Sequence, residues 1–166
     1  MKSLCLGLLI LSFLAIPVWA DNCSVNTPVC LLANNIKSDV ENSGADTKDP
    51  IRKKHIECGN EHTDTRGMEK CDDAAIKEYR EALKTIYQTA LDSVDKDAKV
   101  SLRNSQDQWL KYYDAEITAK RRSQALVQGT LIPLLLGNEE EQLIRQRIAQ
   151  LTFYVDWGTK KSDPEK

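Results

Sequence analysis

The sequence predicts an all-α fold, an antiparallel bundle of three main helices with a disulfide-stapled N-terminal segment. Three observations predict it. Apolar residues recur at threes and fours from about Thr65 to Val155, which is the spacing that gives a helix one apolar face. No run alternates with period two for long enough to demand a sheet. Cap residues and glycine breaks divide the periodic stretch into three.

The first twenty residues stand outside this pattern. Lys2 supplies a positive start, Leu4 to Val18 is almost continuously apolar, and Val18-Trp19-Ala20 places small residues where a signal peptidase reads. A secretory signal cut after Ala20 is therefore expected, and with it a periplasmic or secreted product. The apolar run is short for a span of about 20 residues, and polar Asp21-Asn22 follows it at once. No later segment is long and apolar enough to cross a membrane, so no membrane span is expected in the mature chain.

The remaining residues suffice for one domain with a core. Loss of Lys2 leaves 22 basic residues against 25 acidic ones, a net charge of −3. That mild acidity argues against nucleic acid, which selects a basic face, and weakly favours a basic partner. Four cysteines remain, Cys23, Cys30, Cys58 and Cys71. An even number in an oxidising compartment suggests two disulfides with three possible pairings. The local pairing, Cys23–Cys30 with Cys58–Cys71, is preferred.

Residues 21–57 show little periodicity and read as an irregular N-terminal extension, with KSDVENSGADTKDP (37–50) as a polar, turn-rich loop. The first main helix is expected from Thr65 to about Ser93, capped by Thr65 or Asp64. Cys58 cannot belong to it, because Cys58 and Cys71 on one helix would lie about 20 Å apart and a bridge needs α-carbons within about 7 Å. The chain around Gly59-Asn60 must fold back across that helix's first turns. The second helix follows the caps at Asp95-Lys96-Asp97 and runs to about Leu126, before Gly129-Thr130. Leu131 to Leu136 reads as a short apolar connection. The third helix begins at Asn138 with Glu141 as a variant capping box, and 158–166 reads as a flexible tail.

The second helix contains SQDQWLKYYD (105–114). Gln106, Trp109, Leu110 and Tyr113 share one helical face, so the stretch reads mostly as core, with an indole N–H or the Gln106 amide bonded across the helices. His55, Cys58, His62 and Cys71 have the residue types of a zinc site. Their spacing fits no standard knuckle and a disulfide competes for both thiols, so no metal or cofactor is expected. The clusters Asp72-Asp73, Asp92/Asp95/Asp97 and Glu139-Glu140-Glu141 read first as solvated helix starts and turns. The acidic turn Asp92, Asp95, Asp97 is the weak candidate for contact with a basic partner. No nucleophile elbow, phosphate loop or metalloprotease motif is present, and an enzyme is not expected.

The segment Leu102 to Asp114 resembles the family of exported proteins related to the lysozyme inhibitor LprI. Leu102, Gln106, Trp109, Leu110, Tyr112 and Asp114 match its L-x-x-x-Q-x-x-W-[LI]-x-[FY]-R-D-x-x-C pattern. Cys58, Cys71, Leu83, Tyr87 and Gln88 resemble its upstream part, and Gly129-Thr130 with Arg147 and Leu151 its downstream part. The resemblance covers about residues 58–151, so residues 58–157 are expected to form the family's helical domain. It implies a binding protein whose partner is lysozyme or a related cell-wall hydrolase. The alternative is an exported helical module, or an immunity-type protein, for another envelope partner or ligand. The family's arginine before Asp114 is Tyr113 here, and its acid three residues before Leu83 is Arg80, as if the two pair between helices in relatives. Two further family cysteines are missing together, as expected if they bond each other. That leaves Cys58–Cys71 as the surviving bridge.

Overall fold

The computed structural model describes residues 27–42, 47–124 and 132–161. The expected signal segment, Cys23 and Gly129-Thr130 lie outside the described residues, so the Cys23–Cys30 pairing does too. The described chain is all helical, as expected, and forms five helices: α1 Pro28–Asn42, α2 Pro50–Glu61, α3 Thr65–Ser93, α4 Lys96–Gln124 and α5 Ile132–Lys161.

The three main helices are α3, α4 and α5. Asp64, not Thr65, caps α3, its carboxylate accepting from Gly67 N at 2.9 Å. The α3 stripe Ala75, Tyr79, Ala82, Leu83, Ile86 and Ala90 packs against Ile144, Ile148, Leu151 and Val155 of α5. A two-residue turn, Val94-Asp95, sends α4 back antiparallel to α3. Cross-links pair ascending positions of α4 with descending ones of α5: Ser105 with Arg147 at 3.1 Å and Arg121 with Glu140 at 3.3 Å.

The reading of 21–57 as irregular is corrected. Residues 28–42 and 50–61 are helical. Val29, Leu32, Ala33, Ile36 and Val40 form a stripe on α1, with Ala33 and Ile36 fully in the core. The short polar linker between two helices is what dominated the composition there. Asp49 caps α2, accepting from Ile51 N at 2.9 Å and Arg52 N at 3.3 Å, with Pro50 at the first helical position. Proline belongs there because that N–H has no helical partner anyway.

The third helix also differs from expectation at both ends. It starts at Ile132 rather than Asn138, because Pro133 falls in a first turn that tolerates it. It continues to Lys161, through part of the expected tail.

Cys58 and Cys71 are joined, with α-carbons 5.8 Å apart. The chain does fold back, but it reverses at 62–64 rather than around Gly59-Asn60, which belong to α2, and α2 runs back along the start of α3. Only Ile51 of α2 is buried. The disulfide and polar contacts therefore hold this helix more than apolar packing does.

Candidate functional site: the motif face of α4

Helix α4 buries little: Leu102, Gln106 and Ile117. The motif residues divide accordingly. Leu102, Gln106, Trp109 and, from α5, Arg147 come together, whereas Leu110 is 45% exposed and Asp114 faces solvent.

Arg147 organises the cluster. Its Nε donates to Gln106 Oε1 at 2.9 Å, Nη2 to Ser105 Oγ at 3.1 Å and Nη1 to Gln150 Oε1 at 3.2 Å. Its guanidinium carbon lies 5.8 Å from the Trp109 ring centroid, within cation–π range. No carboxylate pairs with it among the described residues, and burial pulls its pKa below the ordinary arginine value. The Gln106 amide, not the indole, is thus the group bonded across the helices. Trp109 is half-buried at the edge of the core and stacks on Tyr113, centroids 5.2 Å apart.

Tyr113 belongs to a second knot. Glu140 of α5, 5% exposed, accepts from Arg80, Tyr113 and Arg121, and Arg80 Nη2 donates to Tyr113 Oη at 3.0 Å. Positions 80 and 113 therefore meet across α3 and α4. Burial, then Glu140, pushes the Tyr113 phenol up to about 12.

The reading of Glu139–Glu141 as a solvated helix start is corrected for its last two members. Glu141, 2% exposed, meets His55 Nδ1 at 2.8 Å, Arg52 at 3.6 Å and Arg145 at 3.8 Å. His55 Nε2 reaches Asp72 Oδ1 at 2.7 Å. Arg145 also faces Asp49 at 3.4 Å and Asp39 at 3.5 Å, and Tyr79 Oη donates to Asp49 Oδ2 at 2.6 Å. Spacing arguments missed this buried charge network. The proline-anchored cap at Asp49 was its one local signal.

The hydrogen bond to Glu141, against the opposing effect of burial, raises His55 above its ordinary 6.5, and Asp72 adds to the rise. Burial also holds the Asp72 carboxyl above its usual value, though His55 opposes it. A raised histidine contributes stability that is complete below its unfolded value and lost as pH climbs through its folded one. The melting temperature should therefore fall as pH rises above 6.5, and His55→Gln should flatten that part of the curve. An unchanged slope in the variant would assign the effect elsewhere. The groups facing His55 are Asp72 from α3 and Glu141 from α5, and Arg52 and Arg145 share that glutamate.

Cys58, His62 and Cys71 do gather, with ligand atoms within 4.8 Å of one another. Both sulfurs are joined in the disulfide, so neither is the thiolate that zinc requires. The acids of the α3–α4 turn are exposed. Asp92 accepts from Gln88 Nε2 at 3.1 Å, Asp95 caps α4 by accepting from Ala98 N at 2.9 Å, and Asp97 lies in the first turn, where the helix dipole favours an acid.

A cavity of about 300 Å³ opens between α3 and α4 beside the Arg147 cluster, lined by Leu83, Tyr87, Gln106, Trp109, Tyr113 and Ile144 among others. Arg80, Lys84 and Leu110, all exposed, form its rim.

Fold and site together define a small, disulfide-clamped helical protein. A family model described as lysozyme inhibitor LprI matches residues 58–151, more than half of the chain, and the chain belongs to that family. Neither the curated proteins nor the solved structures contain a match to it.

Proposed function

We propose that this chain is an exported inhibitor that binds a lysozyme-like, peptidoglycan-cleaving hydrolase and blocks it without chemistry of its own. Membership of the LprI family carries the reading. Such a hydrolase works with two carboxylates in a cleft, one held protonated as the acid, and a protein inhibitor need only occlude that cleft.

The exposed turn bearing Asp92, Asp95 and Asp97 is the proposed contact. It is accessible, it sits at one end of the bundle, and its charge would steer the chain to a basic enzyme. The test is hydrolysis of cell-wall substrate by lysozyme, titrated with oxidised protein lacking residues 1–20, at low and moderate salt. Inhibition should saturate near one to one and weaken with salt. Asp92→Asn, Asp95→Asn and Asp97→Asn together should weaken it further, and asparagine keeps the α4 cap intact. Full activity at a large excess of folded protein would discard the proposal.

A further inference from the structure

The cavity beside Arg147 has a chemical character that inhibition of a hydrolase does not use. Its floor is apolar, because Leu83 and Ile144 are 7% and 1% exposed. Tyr87, Trp109 and Tyr113 are half-buried and form its walls. No carboxylate lines it, whereas Arg80 and Lys84 do. Arg80 is already engaged by Glu140 and Tyr113. Lys84 makes no ion pair among the described residues.

The second observation concerns Gln106, which is 94% buried (6% exposed) and lines the same cavity. Arg147 Nε holds its Oε1, and a guanidinium can only donate. The orientation of the amide is therefore fixed, with the NH2 end as the free one. That Nε2 donates to no protein acceptor among the described residues. A donor with no protein acceptor, on a residue that lines the cavity, is a position that an incoming acceptor can fill.

We propose that this cavity binds a small apolar carboxylate of one or two rings. The hydrocarbon part lies on Leu83 and Ile144 between the aromatic walls. The carboxylate accepts from Gln106 Nε2, and the Lys84 ammonium supplies the countercharge on its flexible stem. Size, apolar lining and a few convergent polar groups are the ordinary features of a small-molecule site. The site stands whether or not the chain inhibits a hydrolase, since none of its groups lies in the Asp92–Asp97 turn.

The probe is 3-phenylpropionate, with 3-phenylpropionamide as its neutral counterpart, titrated into the oxidised protein by calorimetry. In a Trp157→Phe background lacking residues 1–20, Trp109 is the remaining tryptophan, so its fluorescence reports the same site. The carboxylate should bind saturably at one to one, and more tightly than the amide. Gln106→Glu keeps an acceptor for Arg147 but sets a like charge against the ligand. It and Lys84→Gln should each weaken the carboxylate by about tenfold or more, the usual size of a charge-assisted hydrogen bond. Lys70→Gln, elsewhere on α3, should change nothing. Non-saturating binding, equal affinity for the amide, or full affinity in Lys84→Gln would overturn the proposal. Lys84 is exposed, so its substitution decides the matter even if Gln106→Glu melts early.

Discussion

Arg145→Met should destabilise the protein by about 3–5 kcal/mol, the range for breaking a buried ionic cluster from one side. Arg145 is 2% exposed, and it faces Asp49 at 0%, Glu141 at 2% and, more peripherally, Asp39. Methionine fills much of the same volume, so the loss is not one of packing. Its origin is that Asp49 and Glu141 remain in a low-dielectric interior with less countercharge. Arg52 and His55 still reach Glu141, whereas Asp49 keeps only the Tyr79 hydroxyl and two backbone donors. Asp49 should therefore suffer most. Adding Asp49→Asn to Arg145→Met should recover part of the loss, because asparagine retains the helix cap and removes the stranded charge. Urea unfolding of the three proteins measures this directly. A single variant within about 1 kcal/mol of the parent would mean that the cluster is not coupled as its distances imply.

Reduction of Cys58–Cys71 should lower stability by about 3 kcal/mol, as for other loops of comparable length, and the loss should be local before it is global. Helix α2 buries one apolar side chain, Ile51, worth roughly 2–3 kcal/mol when fully enclosed. Its other attachments are the Asp49 cap, the contacts of Arg52 and His55 with Glu141, and an exposed Lys54–Glu78 pair at 2.9 Å. Exposed pairs of that kind contribute little. Without the disulfide, amide exchange of residues 50–61 should accelerate well before that of α3 and α5 changes. Uniform acceleration across the chain would show instead that α2 unfolds only with the whole molecule.

Much of the bundle was legible because α3 carries its apolar residues in one dense stripe, and Asp64 and the Val94-Asp95 turn bracket it. Helices α1 and α2 were not legible, for different reasons. In α1 the stripe Val29, Leu32, Ala33, Ile36, Val40 is interleaved with Asn34, Asn35 and Ser38, poor helix formers whose side chains compete for the backbone. In α2 the run IRKKHIECGNE has almost no apolar face, since tertiary ion pairs and a disulfide replace it. A rule that places charge outside had no means of finding Arg145 or Glu141, whose partners come from other helices. The reading of the Gln106, Trp109, Leu110 and Tyr113 face as mostly core holds for Gln106 and is corrected for the rest: Trp109 and Tyr113 are half-buried and Leu110 is exposed. The open space beside it, and the exposure of Leu110, follow from how shallowly α4 sits, which no local spacing encodes.

Glu140 and Glu141 are neighbours on α5, yet one is tied to α3 and α4 and the other to α2. Successive residues of a helix point about 100° apart, and this one step divides the molecule's polar anchors between two sides. The rotational phase of α5 is therefore locked at that step. Point substitutions along its outer face leave the phase alone. Inserting a single residue between Glu141 and Arg145 would swing Arg145, Arg147 and the whole apolar stripe away from their partners while both glutamates stayed in place. The stretch should drift by exchange of side chains and hardly ever by a change in length. Length variation among related chains should then avoid this stretch of α5.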